Sequence, residues 1–251
     1  MDTLENLQDL NRLADEMAAL RTTTSTVLVV LPTYGDVKAD MMYDLVRTVM
    51  RTAVEAPYIR MKFMKGSSSL LVNLRNELTD KVLESKAEWS WWIDSDMRFP
   101  TDALARLIQH DKDIVGANYI TRSMPPRPTA KLCSDDGQNY YDFATMPDDT
   151  GLVPVDALGM GCILIRSKVF EALEWPFFST PPMPQRRTHV GEDVYMMAHA
   201  IEKGFQPYVD HDLSHEIGHV GSFVYRWGHY YTVQALMQEQ PTETPAVNDA
   251  A

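Results

Sequence analysis

Between residues 26 and 119 the chain alternates strand and helix through seven consecutive segments, and few folds accept that order. Thr26 to Leu31 (TVLVVL) is an unbroken apolar, β-branched run, the mark of a strand buried on both faces. Ala39 to Ala56 repeats apolar residues at helical period, and Tyr58 to Met64 (YIRMKFM) alternates with period two. Gly66-Ser67-Ser68-Ser69 is a small-residue loop able to cap the helix predicted over Leu70 to Ser85. Strand Glu88 to Ile93, a short helix from Pro100 to about His110 and strand Asp113 to Tyr119 complete the series. Parallel strands need such crossovers, so the reading is α/β: a mostly parallel sheet with helices on both faces.

The character changes at Thr121. Met124 to Pro128 is proline-rich, and residues 129–158 hold short strand-like pieces between turn signals, a smaller mixed or antiparallel part. Cys162 to Ile165 reads as a core strand, with Ser167 capping a short helix. Phe178 to Thr188 is a loop rich in Pro and Arg. A helix over Glu192 to Lys203 stops at Gly204, a strand follows over Phe205 to Val209, and a last helix spans Phe223 to Met237. Before all this, Leu4, Leu7, Leu10, Leu13, Met17 and Leu20 form one apolar helical face. The expected organisation is an N-terminal helix and linker (1–25), one domain (26–237, divided near 120) and a disordered tail (238–251).

Composition narrows the function classes. A net charge of -12 disfavours a general affinity for nucleic-acid backbone, although a bound metal ion can reverse the local field. No apolar run approaches the ~20 residues of a membrane span, and the acidic N-terminus is no secretory signal. Two cysteines without metal-type spacing, Cys133 and Cys162, read as free thiols. A cytoplasmic location is expected.

The chemistry-bearing stretch is Trp89 to Pro100, WSWWIDSDMRFP. An aromatic and β-branched strand ends abruptly in Asp94 and Asp96. In an open α/β sheet, ligands gather at the carboxyl ends of strands, and two carboxylates there suit a hard divalent cation that in turn holds phosphates. The same D-x-D spelling occurs at Asp111/Asp113 and Asp210/Asp212, so context rather than pattern singles out the first.

With these residues in place, the chain resembles nucleotide-sugar-dependent glycosyltransferases of the GT-A (Rossmann-like) fold, especially the family-2-like group, over roughly residues 26–221. The resemblance implies that Pro32, Thr33, Tyr34 and Asp36 hold base and ribose, with Arg75-Asn76 facing the nucleotide. It implies that Asp94, Ser95 and Asp96 hold the ribose and a divalent metal, Asp96 being the nearer ligand. Gly159-Met160-Gly161 resembles the glycine-containing strand beneath the sugar, which puts Gly161 in the donor site. Gly191-Glu192-Asp193 resembles the acidic motif that supplies the catalytic base of inverting members.

His215-Glu216-Ile217-Gly218-His219 spells H-E-x-x-H, which on a helix would set two histidines and a general base around zinc. Gly218 inside the run and Gly221 after it argue against a long helix. The resemblance uses the run differently: a late histidine, His219 or alternatively His215, returns to the cation, a mixed O/N site suited to Mn²⁺ or Mg²⁺. The expected function is transfer of a sugar from a nucleotide diphosphate donor, a UDP-sugar, to an acceptor hydroxyl with inversion. A zinc hydrolase and a non-catalytic nucleotide-sugar binder are the alternatives. The acceptor class (glycan, lipid carrier, protein or modified base) stays open, as does pairing of two copies through the N-terminal helix.

Overall fold

A computed structural model of the protein describes residues 25–135, 139–184, 187–221 and 224–239. The apolar-faced segment 4–20, Arg186 and the tail from 240 lie outside the described residues. The first half alternates as read: β1 (Ser25–Thr33), α1 (Ala39–Glu55), β2 (Ile59–Ser67), α2 (Leu71–Ser85), β3 (Trp89–Ile93), a two-residue β4 (Met97–Arg98), α3 (Ala103–Gln109) and β5 (Ile114–Gly116). A hairpin of β6 (Lys131–Cys133) and β7 (Tyr140–Asp142) follows, then β8 (Leu152–Pro154), β9 (Cys162–Arg166) and α4 (Ser167–Ala172). The chain continues through the short pair β10 (Pro182–Met183) and β11 (Thr188–His189), then α5 (Glu192–Glu202), β12 (Pro207–Asp210) and α6 (His211–Ser214). It closes with β13 (Gly218–Val220), β14 (Val224–Tyr225) and α7 (Trp227–Glu239).

Seven strands form the central sheet in the order β2-β1-β3-β9-β5-β12-β8. β2, β1 and β3 run parallel, as do β5 and β12, while β9 and β8 run against their neighbours. Period-two alternation divides each strand between two cores. Leu28, Val30, Trp92, Ile163 and Ile165 face one layer with Leu74, Leu78 and Val82 of α2, Phe170 of α4 and Met196 of α5. Val27, Val29, Trp91, Ile93, Cys162 and Leu164 face the other, with Met41 and Leu45 of α1, Leu104 and Leu107 of α3, and Leu213 of α6. The result is helix–sheet–helix, with helices on both faces.

This topology fixes where a ligand can enter. From β1 the chain crosses by α1 to β2 on one side; from β2 it crosses by α2, on the opposite face, to β3 on the other side. The carboxyl ends of β1 and β3 therefore flank a topological switch point, where the helices leave a crevice.

Several boundaries differ from the sequence expectation. Pro32 and Thr33 are the last residues of β1, paired with Gly66 and Ser67, so the loop begins at Tyr34. Ser167 caps nothing: Arg166 is the N-cap residue, and the buried Ser167 hydroxyl donates to the Ala87 carbonyl at 2.6 Å. The last helix starts at Trp227 because Val224 and Tyr225 pair with β13. It runs to Glu239, two residues into the stretch expected to be disordered. No described helix is long and apolar enough to cross a membrane.

The three tryptophans of β3 have 2% exposure or less, and Trp92 lies 6.0 Å from the rings of both Phe170 and Phe178. Replacing Trp92 by alanine is expected to cost ~3–5 kcal/mol in urea unfolding. Val54→Ala, at an 80% exposed position of α1, should change stability by less than about 0.5 kcal/mol.

Candidate functional site

A cavity of about 240 Å³ opens at the switch point. Pro32, Thr33 and Tyr34 line it from the end of β1, and Asp94, Ser95 and Asp96 from the turn after β3. Ser68, Ser69 and Leu71 come from the junction of β2 and α2, Arg122 from the loop after β5, and His219 from β13.

The acidic turn is held by backbone on several sides. The Asp94 amide donates to the Gly161 carbonyl at 3.1 Å, the Lys38 amide to the Ser95 carbonyl at 2.9 Å, and the Val220 amide to the Asp96 carbonyl at 2.7 Å. The last of these extends a small antiparallel sheet in which β13 lies between β14 and β4, with His219 opposite Met97. A strand of three residues thus carries a histidine from late in the chain to the acids at residues 94–96.

His219 is oriented by its other ring nitrogen. Its Nδ1 lies 2.9 Å from the Ile120 carbonyl, which can only accept, so Nδ1 carries the proton. Nε2 then faces Asp96 Oδ1 at 3.5 Å, and the Tyr119 ring braces the imidazole edge-on at 5.3 Å. A lone pair facing a carboxylate oxygen is repulsive unless a proton or a cation stands between them. An imidazole fixed by a backbone carbonyl through its second nitrogen is the usual arrangement of a metal-ligating histidine. Arg122 Nη1 lies 2.8 Å from the other oxygen, Asp96 Oδ2. Burial pushes the Asp96 carboxyl up, but His219 and Arg122 outweigh it and hold the group below its ordinary range.

Asp94 is governed by Arg75. This guanidinium is 3% exposed and donates from Nη2 to Asp94 Oδ1 at 3.3 Å and from Nη1 to Glu192 Oε1 at 2.8 Å. Burial nevertheless raises the Asp94 carboxyl, helped by Asp96 and only partly opposed by Arg75. Burial and the neighbouring Glu192 also raise Asp193, despite the Val194 amide that donates to its Oδ1 at 2.8 Å.

Not every expected residue joins the cavity. Arg75 is not among the lining residues, and both its Nη atoms are engaged by carboxylates. Glu192 and Asp193 are not among the lining residues; Glu192 connects to the acidic turn through Arg75. Asp36 is exposed and outside the lining. Gly161 is buried against Tyr119: a Cβ there would meet the phenolic oxygen at 2.6 Å, so its smallness accommodates that ring instead of a ligand. Burial pushes the adjacent Cys162 thiol up to about 12, leaving it inert.

The H-E-x-x-H run is not a helix. His215 follows α6 and donates from Nε2 to the Asp149 carbonyl at 2.9 Å, while His219 sits on β13. The two imidazoles share no helix face, so the run forms no helical zinc constellation, and His215 lies outside the cavity that His219 lines. His215 and Glu216 line a separate cavity of about 550 Å³, where Glu216 pairs with Arg106 at 2.6 Å and His110 with Asp210 at 2.8 Å. Asp210 accepts the Leu213 amide as the cap of α6, so that D-x-D is structural. Asp111 and Asp113 pair with Arg166 at the surface. Among the described residues, no three His, Cys, Asp or Glu side chains gather closely enough to hold a metal by themselves. Ser68 and Ser69 are lining residues that carried little signal, two hydroxyls in a loop read as a cap, whereas Arg122 is an arginine that the sequence already offers as a contact for phosphates or the acceptor.

Residues 59–145 match the Anp1 family model, a stretch that takes in Arg75, the acidic turn and Arg122. No curated protein matches the chain. Among solved structures, the chain is similar to the crystal structure of A197 from STIV. The TM-score is 0.54 at 17% identity, covering 78% of this chain and 86% of that one, a likeness of fold. The crystal structure of HddC from Yersinia pseudotuberculosis matches at a TM-score of 0.31 and 10% identity, over 59% of this chain and 79% of that one, too distant to bear on the fold.

Proposed function

We propose that the protein is a metal-dependent glycosyltransferase that moves a sugar from a nucleotide diphosphate donor, a UDP-sugar, to an acceptor hydroxyl with inversion at the anomeric carbon. The observation that carries this reading is the approach of His219 Nε2 to Asp96 Oδ1 inside the switch-point cavity. The partial match to Anp1, a glycosyltransferase-type family, supports it. Asp96 and His219 make a mixed O/N donor set that would hold Mn²⁺ or Mg²⁺, and the remaining positions would fall to water and phosphate oxygens. When bound, the cation supplies Lewis-acid neutralisation of charge on the departing diphosphate.

The chain's own groups divide the remaining work. Thr33, Tyr34, Ser68 and Ser69 offer hydroxyls to the nucleotide, and Asp94 with Ser95 faces the ribose. Arg75 holds Asp94 and Glu192 at fixed spacing, so Glu192 is a positioning residue. Asp193, at the start of α5, accepts the proton of the acceptor hydroxyl as that oxygen bonds to the anomeric carbon and the carbon–oxygen bond to diphosphate breaks. Its raised pKa suits a base. The unpaired Cys133 and Cys162 fit a reducing, cytoplasmic setting.

Release of UDP from UDP-sugars should require Mn²⁺ and stop on chelation. Asp96→Ala and His219→Ala should each lower it by at least ~10²-fold, the scale of losing one stabiliser of a developing oxyanion. Metal-dependent release that survives Asp96→Ala contradicts the site, and UDP-sugar binding without any product contradicts an enzyme.

The rate should fall on acidification as Asp193 protonates, with the limb above the ~3.9 of an ordinary aspartate. Glu192→Gln removes a like charge that raises Asp193, so the acid limb of kcat/KM should move to lower pH. A limb that stays in place or moves up argues against Asp193 as the base.

A further inference from the structure

Arg122 competes for the carboxylate that the cation needs. Its Nη1 lies 2.8 Å from Asp96 Oδ2 and 3.4 Å from the Val220 carbonyl. Nε and Nη2 have no hydrogen-bond partner among the described residues, and the side chain is 45% exposed at the cavity wall. The approach is built in. The loop base is pinned by Thr121 and Arg127, whose backbone amide and carbonyl meet at 2.8 Å, and by the bridge between Ile120 and Pro128. Gly221 leaves room for the stem: a Cβ there would stand 3.3 Å from Arg122 Cδ.

The charges give this contact a consequence. Arg75 and Glu192 cancel each other, so Asp94, Asp96 and Arg122 leave about -1 when the acids are ionised, and a divalent cation turns that to about +1, a balance that favours an anionic diphosphate. Arginine keeps its charge at any working pH, so it opposes a cation arriving alone. A diphosphate offers paired oxygens that fit the guanidinium fork better than the single Asp96 oxygen it now holds.

Resting on the donor-site reading above, we propose that Arg122 is the coupling residue of the site. It pairs with Asp96 Oδ2, as seen at 2.8 Å, and transfers to the donor's diphosphate when the nucleotide enters. The carboxylate is thereby freed for the cation, so metal and nucleotide bind cooperatively. Linkage makes the effect reciprocal: the factor by which UDP strengthens Mn²⁺ binding equals the factor by which Mn²⁺ strengthens UDP binding.

The test is Mn²⁺ titration followed by the EPR signal of free Mn²⁺, with and without UDP and corrected for Mn·UDP in solution. Wild type, Arg122→Ala and Arg122→Lys are compared after an unchanged urea midpoint shows that each is folded. Arg122→Ala should bind Mn²⁺ alone several-fold tighter than wild type and UDP alone more weakly. Its UDP–Mn²⁺ coupling should drop by about tenfold, within the ordinary range of such couplings. Arg122→Lys keeps the charge but not the fork, so it should retain the weak binding of Mn²⁺ alone and lose part of the UDP affinity. Unchanged or weaker binding of Mn²⁺ alone by Arg122→Ala, with coupling intact, overturns the proposal and leaves the donor reading standing. No Mn²⁺ binding by any of the proteins, with or without UDP, overturns both.

Discussion

A guanidinium with almost no access to solvent, Arg75, joins the two parts of the site. Its two Nη atoms bind Asp94, at the end of β3, and Glu192, at the start of α5, while its Nε has no partner among the described residues. Taking a cation out of water is costly, and breaking a buried pair of this kind typically costs ~3–5 kcal/mol because the remaining charge is stranded. That constraint sets the separation between the acidic turn and the acids of α5. The next residue reinforces it: Asn76 donates to the Phe178 carbonyl at 2.8 Å and accepts from the Phe178 amide at 3.0 Å, tying α2 to the chain that leads into α5.

Two sheets of different size serve different ends. The seven-stranded sheet, with a core on each face, supplies rigidity and places β1 and β3 side by side at a switch point. The three-stranded sheet formed by β14, β13 and β4 contributes Met97 to the core and sets His219 against Asp96. The Ile120 carbonyl fixes its tautomer and Tyr119 its tilt. Gly161 matters because the Tyr119 ring passes over it, so its effect on the site is indirect. Large apolar surfaces hold the scaffold, and a few short backbone hydrogen bonds aim the polar groups.

Much of this was legible before any coordinates. Unbroken apolar strands and amphipathic helices alternate strongly enough that β1, β2, β3, α1, α2 and α5 fall within a few residues of their expected limits. Trp91-Trp92-Ile93 followed by Asp94 pointed to a buried strand emerging at a polar rim. What escaped notice lacks periodicity. Two- and three-residue strands such as β4 and β13 carry no alternation, so the register that joins Met97 to His219 could not be read. H-E-x-x-H has helical spacing by spelling, yet Gly218 and the pairing with β4 draw its second half into a strand. The burial of Arg75 is not legible in the sequence because its two carboxylate partners lie 19 and 117 positions away. Ser68 and Ser69 are ordinary loop residues until the topology brings their loop to the crevice.

The central claim is that Asp96 and His219 share one cation on a sugar nucleotide. The most direct measurement is a crystal structure of the protein soaked with UDP and Mn²⁺, with the anomalous signal of manganese locating the ion. The account predicts one manganese within ~2.0–2.2 Å of His219 Nε2 and an Asp96 oxygen, in contact with the diphosphate, with the nucleotide lying between Tyr34 and Ser68. Manganese at His215 and Glu216, or UDP bound away from the ends of β1 and β3, would contradict it.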